Sequence, residues 1–293
     1  MSSERVFAPS VALESTVLSH GLPHPENLDT AMAVMRAVRE TGARPMTIGY
    51  LKGRAVTGLS DADIRRFCLD GNVRKTSVRD IPIVVARGLD GATTVSATMH
   101  VAHGAGIRVM ATGGIGGVHP IDPARNGSGI DESADLLELS RTPITVVCSG
   151  PKAILDLDAT RERLETLGVP IVGYRTDRLP AFYCTSTDLP VDDRADTPSD
   201  IARIVRARDA AGLTSAVLVV NPLPEADLVP LARVQAIVQA CMSRGDRPTA
   251  AGLTPFILSR VREEIGPQAL TANISLLKRN AALAGRIAVA LAS

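Results

Sequence analysis

Short apolar runs alternate with amphipathic stretches along most of this chain. The runs are rich in β-branched residues and have the length of buried strands. They are residues 11–13, 46–51, 82–86, 107–111, 144–148, 169–173 and 215–220. A hairpin is expected to continue the second run to Val56.

Apolar positions at helical spacing separate these runs. These positions predict helices over residues 27–41, 133–139 and 198–211, and mainly helical structure from Leu231 onward. They also predict one helix that begins at a serine cap, Ser60, and another that ends near His103. Residues 91–94 are expected to form a turn, and residues 120–130 a flexible polar excursion. Because strands alternate with helices, we predict a largely parallel or mixed sheet covered on both faces. The chain contains no linker and no internal repeat, so we predict one domain over residues 1–293 with a short tail at 1–10.

Composition narrows the classes of protein. The chain has 293 residues, 45% of them hydrophobic, which is enough for a full core, and only 2% aromatic. Its formal net charge of +1 gives no electrostatic basis for binding a nucleic acid polymer or an anionic membrane. The four cysteines have no zinc or disulfide spacing and predict reduced thiols in a cytoplasmic protein. The chain starts with no signal-like apolar core, and none of its apolar runs reaches membrane-spanning length.

Lys152 is the leading candidate for chemistry. It follows an apolar strand and the strand-breaking sequence Ser149-Gly150-Pro151, so we predict it at a strand-to-helix elbow with Pro151 in the first helical turn. Open α/β sheets bind ligands at the carboxyl ends of their strands. A lysine among apolar neighbours can lose its proton and attack an electrophilic carbon. An ordinary surface lysine at a helix start is the alternative.

Other strand ends carry polar residues. Glu14 ends the first strand and is a candidate acid or base, although a solvated capping carboxylate has the same pattern. The sequence Gly113-Gly114-Ile115-Gly116-Gly117 lacks the dinucleotide-binding spacing, and we expect it to bring backbone close to a small anion, with His119 as a donor. The turn before Val95 offers free N–H groups at a helix start, and Lys75 is the candidate counter-charge.

Acidic residues cluster near Asp131. Their oxygens suit Mg²⁺ or Mn²⁺, but acids in a first helical turn also complement the helix dipole, and that reading is favoured on the sequence alone. His20 and His24 are separated by Pro23, so they are expected to be loop residues and not a metal pair.

Taken together, these stretches resemble the pseudouridine-5′-phosphate glycosidase family, which includes the indigoidine-synthase-A-like proteins. The resemblance runs in order from Ala12 to the C-terminal helix. The matching blocks are Ala12-Leu13-Glu14-Ser15-Thr16, Ser19-His20-Gly21, Lys75-Thr76-Ser77, Arg79-Asp80, Gly91-Ala92-Thr93-Thr94-Val95, Ala111-Thr112-Gly113-Gly114-Ile115-Gly116-Gly117-Val118-His119, Ser133-Ala134-Asp135-Leu136, Val147-Cys148-Ser149-Gly150-Pro151-Lys152, Gly173-Tyr174, Asn221-Pro222, Thr254-Pro255-Phe256 and Ala272-Asn273-Ile274.

The resemblance implies a three-layer α/β/α sandwich, commonly a homotrimer, that reversibly cleaves pseudouridine 5′-phosphate to uracil and ribose 5-phosphate. Lys152 resembles the nucleophile that forms an imine with C1 of ring-opened ribose, Glu14 the proton donor, and Asp131 the ligand of a divalent metal, typically Mn²⁺. Positions that resemble substrate contacts are Lys75, Val95, His119, Ser133, Ala134, Asp135 and Asn273. Lys75 and the Val95 backbone resemble phosphate contacts, and His119 and Asn273 resemble phosphate-side and base-side contacts.

Three features depart from the family pattern. The loop over residues 120–130 is longer than usual, Pro151 replaces a small residue, and the N-terminal helix is largely missing ahead of Val11. The longer loop leaves open a C-glycosynthase that joins ribose 5-phosphate to an acceptor other than uracil. A phosphosugar-binding protein without catalysis is the alternative from another class, and the presence of both Lys152 and Glu14 argues against it.

Overall fold

The computed structural model describes residues 8–120, 131–185, 187–243 and 253–293. The predicted flexible excursion lies outside these residues from position 121 onward. The strands are β1 (Ser10–Leu13), β2 (Arg44–Leu51), β3 (Arg54–Thr57), β4 (Arg74–Thr76), β5 (Gly91–Thr93), β6 (Val109–Ala111), β7 (Thr145–Cys148), β8 (Ile171–Tyr174), β9 (Asp193–Ala195) and β10 (Val217–Val220). The helices are α1 (Glu26–Arg39), α2 (Asp61–Leu69), α3 (Ile81–Ala86), α4 (Val95–Gly104), α5 (Ala134–Arg141), α6 (Leu157–Thr166), α7 (Pro198–Ala210), α8 (Leu231–Met242), α9 (Leu253–Ile265) and α10 (Pro267–Ala292).

The strands form one mixed sheet in the order β4-β5-β2-β1-β6-β7-β10-β8-β9, with β3 also paired to β2. Only the pairings of β2 with β3 and with β5 are antiparallel among the described strands. The central pairs β1–β6, β6–β7 and β7–β10 are parallel. Their carboxyl ends therefore lie together at one edge of the sheet, which we call the carboxyl edge.

Alternate residues of the central strands enter two separate cores. In β10, Val217 and Val219 face one core, whereas Leu218 and Val220 face the other. The first core is closed by α1, α2, α7 and α10, and the second by α4, α5 and α6. Because side chains alternate along a strand, a sheet buried on both faces needs apolar residues at consecutive positions. The predicted three-layer α/β/α arrangement is confirmed.

A third apolar cluster covers the carboxyl edge. It joins α8, α9 and the first turns of α10 to the segments 153–157 and 181–184, which follow β7 and β8. We call α8, α9 and residues 267–277 the helical cap. Since the cap packs on segments that leave the strand ends, it encloses the region in which open α/β sheets bind their ligands.

Two predicted elements are wrong. Residues 82–86 were expected to form a strand, but Ile81–Ala86 is the helix α3, with Pro82 in its first turn. Proline is tolerated in a first helical turn, whereas in a strand it removes a ladder hydrogen bond. Residues 91–94 were expected to form a turn, but Gly91–Thr93 is the buried strand β5. A Cβ on Gly91 would lie 2.5 Å from Thr76 Oγ1, so glycine serves close strand packing here.

The predicted elbow at Lys152 also differs. The helix α6 begins only at Leu157 and is capped by Asp156, whose side chain accepts from the Ala159 N–H. Pro151 instead forms an isolated bridge with Ile115. Apolar residues after Lys152 pack into the helical cap, and this tertiary contact explains a pattern that resembled the start of a helix. The strands β4 and β9, three residues each, were not predicted.

We expect Leu218→Ala to destabilise the protein by about 2–5 kcal/mol, because the buried leucine lies in the middle of β10 and its loss leaves a cavity. The matched control is Leu213→Ala, five positions earlier, where the leucine is 59% exposed and the change should stay within about 0.5 kcal/mol. Urea unfolding measures both. Equal losses in the two variants would contradict the assigned core.

Candidate active site

A cavity of about 460 Å³ lies between the carboxyl edge of the sheet and the helical cap. Its sheet side is formed by Glu14, Lys75, Gly113, Gly114 and Lys152. Its other side is formed by Phe182, Tyr183, Leu258, Ser259, Arg262, Ala269, Leu270 and Asn273. The sheet side therefore carries one carboxyl group and two amines, whereas the other side combines apolar side chains with Ser259, Arg262 and Asn273.

Glu14 follows the last residue of β1 and faces the cavity. The Thr112 hydroxyl, directly after β6, donates a hydrogen bond to its carboxyl group. Burial raises the pKa of Glu14, while Lys152 and the hydrogen bond from Thr112 act in the opposite direction. Because the pKa of Glu14 is raised on balance, its carboxyl holds a proton at higher pH than an ordinary glutamate. Such a group suits the role of a general acid.

Buried hydrogen bonds fix the backbone of the turn that carries Glu14. The Ser15 hydroxyl donates to the Ile48 carbonyl at 2.6 Å and accepts from the Thr93 N–H at 2.8 Å. The Thr93 hydroxyl donates to the same Ile48 carbonyl at 2.8 Å. These buried bonds join the end of β1 to β2 and β5, so the backbone below Glu14 is held rigidly.

Lys152 is half-buried and lies on a segment with a tightly constrained backbone. Its N–H donates to the Ile115 carbonyl at 3.1 Å. Gly150, two residues earlier, has φ +84°, and a Cβ there would lie 2.0 Å from the Pro180 carbonyl oxygen. Glycine is therefore required at position 150. Lys152 interacts electrostatically with Glu14, so the two predicted catalytic residues share one site.

Lys75 lies in the middle of β4, at the edge of the sheet. The residue is exposed overall, yet its side chain lines the cavity. Desolvation by the surrounding protein lowers the pKa of Lys75, and the positive charge of Lys152 lowers it further. Two amines on one cavity wall are suited to attract an anion.

The first turns of two helices approach each other beside these amines. Val95 is the first residue of α4, and its N–H belongs to the set that has no acceptor within the helix. Asp135, in the first turn of α5, is 5% exposed. Its two carboxylate oxygens accept from the Ser96 N–H at 3.0 Å and the Gly116 N–H at 2.9 Å. Asp135 therefore ties the start of α4 to the glycine-rich loop.

Ser133 and Ala134 begin α5. Ser133 caps the helix, its hydroxyl accepting from the Asp135 N–H at 3.2 Å, and Ala134 is the exposed first residue. A Cβ on Gly116 would lie 2.2 Å from Ser133 Oγ. The glycine loop and the start of α5 are thus in direct contact.

His119 and Asp131 are adjacent. The His119 N–H donates to the Asp131 carbonyl at 2.9 Å. Burial lowers the pKa of His119, while the charge of Asp131 raises it and that of Lys152 lowers it. The described part of the chain holds no group of three or more His, Cys, Asp or Glu side chains able to enclose a metal. A single protein carboxylate, such as that of Asp131, fits a metal ion whose other ligands are water molecules and oxygens of a phosphorylated substrate.

The structure thus joins Glu14, Lys75, Asp135, Lys152 and His119 electrostatically. Of the other predicted site residues, Asp131 adjoins His119, Asn273 lines the cavity wall from α10, and Ser133, Ala134 and Val95 lie at the helix starts. Of the predicted site residues, Glu14, Lys75, Lys152 and Asn273 line the cavity, whereas Val95, His119, Asp131, Ser133, Ala134 and Asp135 do not. The roles of all of them remain predictions.

Several residues in or beside the cavity had no role assigned from the sequence. Thr112 lies in the block from Ala111 to His119, but its contact with Glu14 depends on the pairing of β1 with β6. Phe182 has φ +61°, which is uncommon for a non-glycine residue, and no sequence pattern signals it. His20 was expected in a loop and lies in a π-helical turn, Val17–Gly21, that lines the cavity. π-helical turns are frequent at functional sites.

The fold and the site define an α/β protein with two lysines and a carboxyl group on the wall of one cavity at the carboxyl edge of its sheet. The sequence model described as indigoidine synthase A like protein matches residues 4–290. The chain is 49% identical over 290 residues to a pseudouridine-5′-phosphate glycosidase of Methylobacterium nodulans, covering 97% of this chain and 84% of that protein. A protein of the same name from Hahella chejuensis is 49% identical over 283 residues, covering 96% and 92%.

Two solved structures share the fold. An indigoidine synthase A-like protein from Thermotoga maritima has a TM-score of 0.90 at 36% identity, covering 99% of this chain and 96% of the other. The prealnumycin C-glycosynthase AlnA, solved with ribulose 5-phosphate, has a TM-score of 0.87 at 38% identity, covering 97% and 92%. The chain belongs to the indigoidine synthase A-like family, and the resemblance found in the sequence is confirmed.

We expect Glu14→Gln to stabilise the protein progressively as pH rises above 4.5, the ordinary glutamate pKa. Above that pH unfolded Glu14 releases its proton, whereas folded Glu14 keeps it up to its raised pKa. Rising pH therefore favours the unfolded wild type until the folded pKa is passed. Glutamine has no proton to lose and escapes this penalty.

Urea unfolding between pH 4 and pH 8 measures the difference in the free energy of unfolding. Glu225→Gln, at an exposed glutamate, is the control and should follow the wild-type curve. A stability difference between Glu14→Gln and wild type that does not change with pH would contradict the raised pKa.

Proposed function

We propose that the protein reversibly cleaves the C–C glycosidic bond of pseudouridine 5′-phosphate, giving uracil and ribose 5-phosphate. The observation that carries the proposal is the joint placement of Lys152 and Glu14 on the wall of one cavity. The glycosidase names of the close relatives support the same reaction.

A C-glycoside has no heteroatom leaving group, so protonation of a glycosidic oxygen is not available. Instead, Lys152 Nζ forms a bond to C1 of the sugar as the bond from C1 to the ring oxygen breaks and that oxygen takes a proton. The electron pair of the nitrogen then forms the C=N bond of an imine while the bond from C1 to the base breaks. Glu14 donates the proton that the departing base carbon needs. Water hydrolyses the imine and releases ribose 5-phosphate.

The phosphate is proposed to bind between Lys75 and the first turns of α4 and α5. Helix N-termini attract phosphate because their N–H groups point outward and carry partial positive charge. This assigns phosphate or sugar contacts to Lys75, the Val95 backbone, and the segment Ser133–Ala134–Asp135, with His119 nearby. Asn273, on the cap side, is proposed to contact the base. Its carboxamide can both donate to and accept from the polar edge of uracil.

The decisive experiment is incubation with pseudouridine 5′-phosphate and Mn²⁺, with uracil release followed by chromatography. Lys152→Ala should abolish release, and borohydride with ribose 5-phosphate should add mass to Lys152 in the wild type alone. Lys278→Ala, at an exposed lysine of α10, is the control and should retain both activities.

Turnover by Lys152→Ala would refute the imine mechanism. No mass increase on the wild type would favour a phosphosugar-binding protein. A trapped adduct without uracil release would favour the second candidate, a C-glycosynthase with another acceptor, which the similarity to AlnA supports.

We further propose that Asp131 holds a divalent metal, Mn²⁺ or a close analogue. When bound, the metal orders and polarises the substrate through its oxygens. Electron paramagnetic resonance of Mn²⁺ should show weaker binding to Asp131→Asn than to wild type. Glu132→Gln is the matched control, because Glu132 pairs with Arg163 at 2.9 Å and should leave binding intact. Equal binding by both variants would reject Asp131 as the ligand.

The resemblance also supports a homotrimer, and the four free thiols support a cytoplasmic protein. No helix within the described ranges is long and apolar enough to cross a membrane.

A further inference from the structure

Asn280 is a fully buried polar residue in α10, surrounded by the apolar side chains of that helix. Its Nδ2 donates to the Thr112 carbonyl at 2.9 Å and to Ser149 Oγ at 3.0 Å. Its Oδ1 accepts from Asn221 Nδ2 at 3.0 Å. Ser149 Oγ in turn donates to the Asn221 carbonyl at 2.9 Å. One carboxamide therefore connects the residues that directly follow β6, β7 and β10.

Both predicted catalytic residues are connected to this carboxamide through short paths. Thr112, whose carbonyl Asn280 holds, donates through its hydroxyl to Glu14. Asn280 also donates to the hydroxyl of Ser149, which is followed by Gly150. The Gly150 carbonyl accepts from the Ile115 N–H at 3.1 Å. The Ile115 carbonyl then accepts from the Lys152 N–H at 3.1 Å. A change at Asn280 thus acts on both sides of the site, although its side-chain hydrogen bonds go to Thr112, Gly113, Ser149 and Asn221 and not to Glu14 or Lys152 directly.

The burial of the Asn280 carboxamide has a cost in free energy that its hydrogen bonds must offset. Burying a carboxamide in an apolar core is unfavourable unless its hydrogen bonds are made, and here both its donor and its acceptor are used. A leucine or alanine at this helix position would satisfy the packing alone. The polar group is needed by the strand ends, because the Thr112 carbonyl lies beyond the last paired residue of β6.

We propose that Asn280 is a positioning residue that sets the relative placement of Glu14 and Lys152. This inference rests on the proposed function. It predicts that loss of the carboxamide weakens the hydrogen bond from Thr112 to Glu14 and displaces the segment that carries Lys152. Since misplacement of reacting groups lowers the rate of chemistry more than it lowers substrate binding, kcat should fall and KM should change little.

The test is Asn280→Ala, measured by uracil release across pH and by thermal unfolding. We expect kcat to fall at least about tenfold, with KM within about threefold. The hydrogen bond from Thr112 lowers the pKa of Glu14, so its loss raises that pKa. A proton-donating Glu14 becomes inactive as pH rises through its pKa, and the alkaline decline of kcat should therefore move to higher pH.

Arg208→Leu is the matched structural control. Arg208 is 5% exposed and donates to the Ser215 and Pro143 carbonyls at 2.8 and 3.3 Å, which lie before β10 and β7 at the opposite edge of the sheet. Its loss should lower Tm as Asn280→Ala does, but leave kcat, KM and the pH profile unchanged. If Asn280→Ala behaves like this control, the inference is overturned.

A double variant tests the path through Thr112. Thr112→Val alone should shift the alkaline limb, and adding Asn280→Ala should shift it no further. Additive shifts would overturn the path. Should Asn280→Ala fail to fold, Asn280→Leu keeps the volume of the side chain but lacks the donor for the Thr112 carbonyl, and the same profile is expected. If the wild-type protein releases no uracil, the proposed function is refuted and this inference is still testable. In that case Asn280→Ala and Arg208→Leu are compared by the rate at which borohydride traps ribose 5-phosphate on the protein.

Discussion

The structure depends on holding the Glu14 carboxyl group in a largely desolvated cavity beside two lysines. Burial favours the neutral acid, while Lys152 and the hydrogen bond from Thr112 favour the carboxylate. The balance between these opposing effects sets the protonation state of the group. Small movements of Thr112 or Lys152 would shift that balance, because electrostatic interactions are strong where water is scarce. The surrounding hydrogen bonds at the strand ends keep those movements small.

The sheet provides this precision through its parallel topology. Parallel strands end at one edge, so Glu14, Thr112 and the segment leading to Lys152 leave adjacent strands within a short distance of one another. The helical cap then closes the space above them with apolar side chains. The same cap supplies Asn273 from the opposite side of the cavity.

Much of this arrangement could be predicted from the sequence. Consecutive apolar positions indicated strands buried on both faces, and the order of the glycine-rich blocks indicated the family. The errors arose where tertiary contacts override local pattern. Residues 82–86 have the composition of a strand but are too short for periodicity to separate strand from helix. Gly91 was interpreted as part of a turn because glycine is common in turns. In the structure it instead permits a close approach between two strands, and the sequence alone does not distinguish the two cases. The contact of Thr112 with Glu14 depends on strand pairing, which no local pattern encodes.

Helix α10 links the cap to the core without a break. Asn273 faces the cavity and Asn280 holds the strand ends, while further along a Cβ on Gly285 would lie 2.2 Å from Thr41 Oγ1, just beyond the end of α1. Asn273 and Asn280 are separated by about two helical turns and therefore share one side of the helix. A single inserted or deleted residue between them would rotate one against the other by about 100°. The number of residues in this segment is consequently constrained more strictly than the identity of its side chains, because substitutions in the cap leave the helical phase unchanged.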